Sequence, residues 1–489
     1  MDLFGHTASK HGASRDLAYA LAVAVVALLP RLFVAIAWAR EPVWDGHYYH
    51  FGAERIAQGL GYSEDVIIAG QAVWKPWCHY PIGYSAFLAV LYLIFGSGLL
   101  VAPIANAVIG TLLAVVSFRL ARYFTTETRA RVAGALVALH PGLIAYSAVL
   151  MTELLAALLI MTALWVAIRW RGQWLGVVLA GVTVGLATLV RPASLLVAPL
   201  LLVIWPAGTK AVWLKTAAAT AVATFVVLPW TLRNCKVMDG CAFVSTNGGW
   251  NLAIGALTET GRFKTLHAAD GCAVVTGQVQ QDRCWSKIGR DTIASDPVRW
   301  LALIPKKLGQ TYDHESFAIE YLREADPDAW PEERRVAARG LLSLAHRLLL
   351  LAAALSAVAL VRWRRKDPWP WAVQTFALVG MCALGIYGFV NDYHPFFWLA
   401  ALTPVVAMLH LPGRPLMGPV GRGLMGLLAL TSATHAVFFG DDRYHLVVTP
   451  ALCILAAGAL RDAFHRRTSS LPPDTEPDYQ ALERPSEPA

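Results

Sequence analysis

Two acidic side chains stand in polar breaks between long apolar runs, where a carboxylate could act as a base. Asp45 lies in the segment from Glu41 to Tyr49, and Glu153 follows Met151 and Thr152. A carboxylate beside a membrane can accept the proton of an attacking hydroxyl, and such a base contributes about 10²–10⁴-fold to a rate. Partial burial would raise its pKa toward the working range. A solvated acid that caps a helix is the alternative for Asp45.

Four cations occupy similar breaks and could hold a phosphate group. They are Lys75, Arg191, Arg233 and Arg443. Lysine is a point charge and arginine a planar fork, and both suit phosphate oxygens. Anchoring at the membrane interface is the alternative for Lys75 and Arg233. Arg191 and Glu153 could instead neutralise each other.

Aromatic and amide side chains accompany these charges. The candidates for substrate binding are Tyr49, His79, Tyr84, Asn247, Asn251 and Tyr444. Aromatic rings can stack on a sugar, and amides can bond its hydroxyls. Asn247 also opens an Asn-Gly-Gly segment, which is a strong turn signal. Asp441 and Asp442 suggest a divalent metal, but their spacing fixes no ligand geometry, so metal dependence stays open.

The amino-acid composition indicates an integral membrane protein. Of 489 residues, 56% are hydrophobic and 15% are charged, whereas soluble domains carry about 25% charged residues. A membrane-crossing helix needs about 20 apolar residues. The apolar runs do not alternate as barrel strands do, which favours helices. The net charge of +8 comes largely from short loops, so it indicates orientation rather than nucleic-acid binding.

The apolar runs predict an all-α polytopic membrane protein with about 12 transmembrane helices. The predicted helices are 17–38, 101–120, 131–150, 154–170, 175–190, 192–206, 212–231, 340–361, 371–390, 395–411, 423–439 and 446–460, with a shorter apolar stretch from Pro81 to Phe95. Arg31 lies inside the first helix, where it must snorkel or find partners within the bundle.

The arginine-rich connections predict the topology. With them in the cytoplasm, the loops 39–80, 151–153, 191, 232–338, 391–394 and 440–445 share the opposite face. The predicted regions are a cytoplasmic N-terminus (1–16), an N-terminal transmembrane catalytic module (17–231) that includes the first periplasmic loop (39–80), a long periplasmic loop with amphipathic helices (232–338), C-terminal transmembrane helices (339–460) and a disordered cytoplasmic tail (461–489).

The long loop also contains four cysteines. In an oxidising compartment Cys235 could pair with Cys241, and Cys272 with Cys284. The sequence leaves the connectivity open.

In this order, the segments resemble the bacterial branch of glycosyltransferase family 39, which includes protein O-mannosyltransferases and lipid A aminoarabinose transferases. The most specific match is the stretch from Pro229 to Gly255, with its Ser-Thr-Asn-Gly-Gly core. The other similar pieces are Asp45 with Tyr49, Gly59, Gly61 and Tyr62; Pro81 to Ala89 with Phe95-Gly96; Thr152-Glu153; Arg191-Pro192; and Arg443-Tyr444-His445.

The resemblance implies a type-C glycosyltransferase fold, with interfacial helices in the first and long periplasmic loops. It implies transfer of a sugar, with inversion, from a polyprenyl phosphate to a glycan, lipid or protein acceptor at the outer face of the inner membrane. Asp45 would be the catalytic acid/base residue and Glu153 its companion, while Lys75, Arg191, Arg233 or Arg443 would hold the donor phosphate.

Two positions depart from the family pattern. Gly46 follows Asp45 where mannosyltransferases often have Asp-Glu, and Trp74 precedes Lys75 where aminoarabinose transferases have an acid. The first difference weakens an assignment to protein mannosylation. The second puts the zinc site of that subgroup in doubt here.

A flippase or transporter for lipid-linked sugars is the main alternative, and an inert scaffold is a third. A transporter would place ionisable residues at mid-membrane, in paired broken helices of two repeated halves. This sequence instead groups them at one interface, which favours an enzyme.

Overall fold

The computed structural model describes residues 10–205, 210–273, 277–360, 368–391, 396–408 and 418–458. The predicted tail 461–489 and residues 392–394 of a predicted loop lie outside them. The helices are α1 Lys10–Ala37, α2 Trp44–Ala57, α3 Ile82–Phe95, α4 Val101–Ala121, α5 Glu127–Leu139, α6 Pro141–Ala145, α7 Glu153–Arg169, α8 Trp174–Val190, α9 Val197–Leu200, α10 Lys210–Val237, α11 Gly248–Leu257, α12 Gln278–Ser295, α13 Pro297–Tyr312, α14 Phe317–Ala325, α15 Glu332–Leu360, α16 Pro368–Val390, α17 Phe397–Met408, α18 Pro419–Val437 and α19 Thr449–Gly458.

The outer surface of the helices is apolar, as a lipid environment requires. In α1, Leu29 and Phe33 are 64% and 66% exposed, and Phe225 of α10 is 72% exposed. By length and composition, four helices within the described residues could cross a membrane: 15–37, 101–121, 211–237 and 332–358. Several other apolar helices are shorter. The all-helical, multi-pass membrane class is confirmed, and the number of about 12 spans stays a prediction.

Prolines explain where the predicted helices break. The predicted helix 131–150 ends at Leu139, and Pro141 begins the short α6, which a 3-10 turn at Tyr146–Ala148 follows. The predicted helix 192–206 is likewise a 3-10 turn from Pro192, the short α9 and a second 3-10 turn. Proline has no N–H to donate to the carbonyl one turn earlier. It is therefore favoured at the first position of a helix and tends to interrupt a helix when it lies further inside.

The first loop contains a β-hairpin that the sequence analysis did not predict. Strands β1 (Ser63–Ile68) and β2 (Gln71–Pro76) pair antiparallel. Their two-residue turn, Ala69-Gly70, has φ values of 51° and 79°, which is the type I′ geometry that suits a hairpin. Strand β1 begins with Ser-Glu-Asp and ends with Val-Ile-Ile, so it has no alternating pattern from which the sequence analysis could predict a strand.

The long loop 232–338 folds into short helices, as predicted. The amphipathic helices α11 to α14 lie within it, and α10 extends to Val237 rather than ending near 231. Disulfides join Cys235 to Cys241 and Cys272 to Cys284. Both pairings that the sequence analysis named as possible are therefore present.

Arg31 finds its partners inside the bundle. Its side chain is fully buried, and its guanidinium donates to the carbonyl oxygens of Val137, at 2.9 Å, and Ala138. These carbonyls belong to the last turn of α5, where free carbonyl groups favour a cation. On α4, a Cβ at Gly110 would lie only 2.6 Å from the Arg31 Nε atom. Glycine therefore leaves the space that the arginine fills.

We expect Gly110→Ala to destabilise the protein, because the added methyl group must displace Arg31 from its carbonyl partners. Overpacking of this kind costs about 1–3 kcal/mol. The matched control is Gly340→Ala in α15, where nothing lies within 4 Å of the added Cβ and alanine should stabilise the helix by about 0.5–1 kcal/mol. Thermal unfolding in detergent should show a lower Tm for the first variant only. Equal Tm values for both variants would contradict the packing role of Gly110.

Candidate active site

An ion pair between two distant segments forms the centre of the polar site. Asp45, in the first turn of α2, accepts a hydrogen bond from Arg443 Nη1 at 2.8 Å through one carboxylate oxygen. The other oxygen accepts the Tyr80 hydroxyl at 2.7 Å. Arg443 begins the 3-10 turn Tyr444–Val447 near the end of the chain. The carboxylate is thus held on both oxygens.

These contacts decide the protonation state of Asp45. Burial raises the pKa of Asp45, but the charge of Arg443 and the hydrogen bonds from Tyr80 and Arg443 outweigh burial, so the pKa lies below its usual value. The expectation that burial would raise it is therefore wrong in its net direction. An ionised carboxylate at neutral pH can accept a proton.

A second ion pair lies beside the first. Glu153, the first residue of α7, is 1% exposed and accepts a hydrogen bond from Arg191 Nη1 at 2.7 Å. Arg191 also donates to the Thr152 hydroxyl at 3.1 Å. The acid stands at a helix N-terminus and the arginine follows the C-terminus of α8, so each complements a helix dipole. The second oxygen of Glu153 has no hydrogen-bond partner within the described residues.

Tyr444 brings the two arginines together. Its ring lies 5.3 Å from the Arg191 guanidinium carbon and 5.2 Å from that of Arg443. His435 stacks on the same ring at 4.1 Å, and Arg443 also lies 4.8 Å from the Phe317 ring. Two guanidinium groups therefore meet on one aromatic ring, and each also has a carboxylate as its counter-ion.

The neighbouring acids have roles other than shared metal binding. One oxygen of Asp442 accepts hydrogen bonds from the Ser316 hydroxyl and the Phe317 N–H, at 2.7 and 2.9 Å, so it caps α14. Burial raises the pKa of Asp441 to about 6. Asp441 lies 3.8 Å from Arg443 Nε. Asp442 is therefore engaged with the start of α14 and Asp441 lies beside Arg443, and a metal site at the two acids stays a prediction.

The structure explains why residue 46 is glycine: a side chain at this position would collide with its neighbours. A Cβ at this position would lie 2.3 Å from the Tyr321 hydroxyl and 2.9 Å from the Leu150 carbonyl oxygen. The Tyr321 hydroxyl accepts the backbone N–H of Val43 at 3.2 Å. The second acid of the Asp-Glu pair common in mannosyltransferases therefore has no room here.

Three predicted substrate-binding residues lie around Asp45. Tyr49 is buried and packs edge-to-face on both Tyr80 and Tyr84. Tyr84 is fully buried and donates to the Asn106 side-chain oxygen at 2.9 Å. His79 contacts the Trp250 ring, and burial lowers the pKa of His79 to about 4, so it is neutral. Tyr49 and Tyr84 are buried, whereas His79 is partly exposed and is therefore the most accessible of the three.

Two of the four predicted phosphate ligands, Arg233 and Lys75, are associated with the β-hairpin. Arg233 donates to the carbonyl oxygens of Tyr62 and Trp77, at 2.6 and 2.9 Å, and so holds the base of the hairpin. Lys75 is on strand β2, opposite Glu64. The structure therefore brings Arg191 and Arg443 together with the acids, and engages Arg233 elsewhere.

The Asn-Gly-Gly segment forms the start of α11. Asn247 precedes the helix and accepts the Ser245 hydroxyl at 2.8 Å, and the backbone N–H of Gly249 donates to Asp282 at 2.7 Å. Asn251 lies in the first turns of α11 and is half-buried. The turn function of this segment is present, and sugar binding by either asparagine stays a prediction.

The sequence analysis missed Tyr80, Phe317, Tyr321 and His435 as parts of the site. Tyr80 stands in the same motif as His79, and its partner Asp45 lies 35 residues earlier. The other three lie in helices whose approach to Asp45 depends on tertiary packing. No local pattern marks them as functional.

Residues 79–232 match the family model of the dolichyl-phosphate-mannose-protein mannosyltransferases. The segment contains Glu153 and Arg191, whereas Asp45 and Arg443 lie outside it. For this segment, the match confirms the resemblance inferred from the motifs. A comparison with curated protein sequences found no match.

Among solved structures, the chain is similar to an oligosaccharyltransferase of Archaeoglobus fulgidus tethered to an acceptor peptide. The identity is 15%, the TM-score is 0.43, and the alignment covers 90% of this chain and 49% of that one. ArnT from Cupriavidus metallidurans bound to undecaprenyl phosphate is also similar, with 15% identity, a TM-score of 0.35, and coverage of 90% and 78%. This chain spans about half the length of the archaeal chain.

We expect a double-mutant cycle on Asp45 and Arg443 to reveal strong coupling in stability. Asp45→Asn leaves a buried arginine without its counter-ion and Arg443→Gln leaves a buried carboxylate, whereas the double variant leaves neither charge. The coupling free energy should be about 1–3 kcal/mol, measured by thermal or chemical unfolding in detergent. The control pair is Lys287 with Asp291, which is 2.7 Å apart but largely exposed and should show almost no coupling. Additive effects at Asp45 and Arg443 would contradict the ion pair.

Proposed function

We propose that this protein is a glycosyltransferase that moves a sugar from a polyprenyl-phosphate donor to an acceptor hydroxyl, with inversion at the anomeric carbon. The observation that carries the proposal is the ionised Asp45 carboxylate held against Arg443, beside a second arginine on the same tyrosine ring. The family match of residues 79–232 supports the same reaction class. A fold of type-C glycosyltransferases accommodates these features.

In the proposed reaction, Asp45 accepts the proton of the acceptor hydroxyl. The hydroxyl oxygen forms a bond to the anomeric carbon while the bond from that carbon to the phosphate oxygen breaks. Attack opposite to the leaving phosphate inverts the anomeric centre. The negative charge that develops on the phosphate is stabilised by fixed cations, which is usually the largest contribution that such a site makes.

Arg443 and Arg191 are the cations best placed for the leaving phosphate. The Arg443 Nε atom is buried and has no hydrogen-bond partner among the described residues. A phosphate oxygen there would gain a strong charge-assisted bond. Arg191 reaches the same region over the Tyr444 ring. Glu153 would then orient Arg191 through the 2.7 Å contact.

The site would lie at the periplasmic face of the inner membrane. Two features support this orientation: the arginine-rich connections predict the opposite face as cytoplasmic, and two disulfides occur in the segment 232–338. Disulfides persist in oxidising compartments. A glycan, lipid or protein of the cell envelope would be the acceptor.

The decisive test is release of sugar from the lipid donor. The purified protein is incubated in detergent with radiolabelled polyprenyl-phosphate sugars, with and without a membrane extract as acceptor. Asp45→Asn should lower release by about 10²–10⁴-fold, because the proton acceptor is lost. The variant should still bind the donor.

The matched control is Asp65→Asn, which removes another carboxylate in contact with an arginine. Asp65 pairs with Arg55 at 2.8 Å on the hairpin, apart from the proposed chemistry, so transfer should stay near the wild-type rate. Near-normal transfer by Asp45→Asn would exclude its role as the base. Tight donor binding without release from any donor would instead favour the flippase or the scaffold.

We expect Tyr80→Phe to change the pH dependence of transfer. Burial raises the pKa of Asp45, and the charge of Arg443 lowers it. The hydrogen bond from the Tyr80 hydroxyl lowers this pKa further. Without that hydroxyl the pKa rises, so Asp45 becomes protonated at a higher pH and the acid limb of the rate profile moves upward. Tyr92→Phe is the control, because the Tyr92 hydroxyl contacts His50 rather than Asp45. An unchanged acid limb in Tyr80→Phe would contradict Asp45 as the titrating base.

A further inference from the structure

A buried cluster of three ligand-type side chains lies next to the Arg443 segment. Glu315 lies in the connection between α13 and α14, His346 is in α15, and His445 is two residues after Arg443. Their exposed fractions are 1%, 0% and 0%. One potential ligand atom from each lies within 4.8 Å of the other two. Three separate segments thus converge on one point.

Hydrogen bonds determine which ring nitrogens carry lone pairs. His346 Nε2 lies 3.0 Å from the Tyr312 carbonyl oxygen, and His445 Nδ1 lies 2.8 Å from the Thr311 carbonyl oxygen. A carbonyl only accepts, so these nitrogens carry the protons. The opposite nitrogens, Nδ1 of His346 and Nε2 of His445, have no hydrogen-bond partner within the described part of the chain. Each imidazole therefore has a buried, unused lone pair.

Glu315 completes the set with a carboxylate that also lacks donors. Neither of its oxygens has a hydrogen-bond partner among the described residues, and its Oε2 atom lies 3.6 Å from His445 Nε2. Gly142 makes room for it, since a Cβ there would lie 1.3 Å from Glu315 Oε1. A buried carboxylate without donors is unfavourable unless a cation compensates it.

We propose that Glu315, His346 and His445 bind a divalent transition-metal ion, with zinc as the best match. Two imidazoles and one carboxylate are a known zinc ligand set. Metal-binding histidines generally donate their other N–H to a carbonyl or carboxylate, as both do here. The two imidazole rings stack at 3.8 Å, which disfavours two imidazolium cations and suits two neutral ligands.

The proposed ion would position the active-site segment rather than take part in the transfer. It would tie the connection between α13 and α14, helix α15 and the turn that begins after Arg443 into one unit. Asp441 and Asp442 do not belong to this group of three side chains.

Metal content of the full-length protein tests the proposal. The protein is produced in medium containing zinc, manganese and iron, purified in detergent through a tag without histidines and without chelators, and analysed by mass spectrometry for metals. We expect about one zinc ion per wild-type chain. Glu315→Gln and His346→Gln should each reduce the content by about tenfold or more. The control His50→Gln alters a histidine that contacts Tyr92 and should retain the ion.

Two measurements on the wild-type protein keep the test independent of how the variants fold. Chelation should lower the Tm, and zinc should restore it. Cobalt(II) in place of zinc should give a visible absorption band that the Glu315→Gln variant lacks. Wild-type protein without bound metal, and with no change in Tm on addition of zinc, manganese or iron(II), would overturn the proposal. None of these readouts requires transferase activity, so failure here is distinguishable from failure of the proposed function.

Discussion

The contact between the Asp45 carboxylate and the Arg443 guanidinium is the interaction on which the polar end of the helix bundle depends. The two residues are 398 positions apart, and each is largely buried. Neither charge could be buried alone without a large desolvation penalty, so the start of α2 and the turn at Tyr444 must meet. The second ion pair, Glu153 with Arg191, contacts the same Tyr444 ring through its arginine.

Neighbouring contacts hold both partners in place. Asp442 caps α14 from the same short segment as Arg443, and so fixes Phe317 against the guanidinium. Tyr80 holds the second oxygen of Asp45. The ring of Tyr444 sets the distance between the two arginines. The site is therefore preorganised by residues that do not themselves change charge, which is how a polar site limits reorganisation during a reaction.

The membrane explains why these charges gather at one end of the helices. Lipid cannot solvate an ion, so charged groups lie at helix ends, in pairs, or against free carbonyl groups. Arg31, inside the bundle, lies against free carbonyl groups in the last turn of α5. Glu153 and Arg191 lie at helix ends and also pair with each other, at the start of α7 and the end of α8. The proposed ion at Glu315 would be a further solution to the same constraint.

The sequence by itself determined the helical membrane class and the approximate positions of most helices, and it identified Asp45, Glu153, Arg191 and Arg443 as candidates. These inferences need only composition, run length and local motifs, all of which depend on neighbouring residues. Tertiary structure alone decided that Arg443 binds Asp45, that Arg233 holds the hairpin instead of lying beside the acids, and that the pKa of Asp45 falls rather than rises. The physical reason is that pairing, burial and pKa depend on groups brought together from distant segments, and helix packing, which no local pattern specifies, selects those groups.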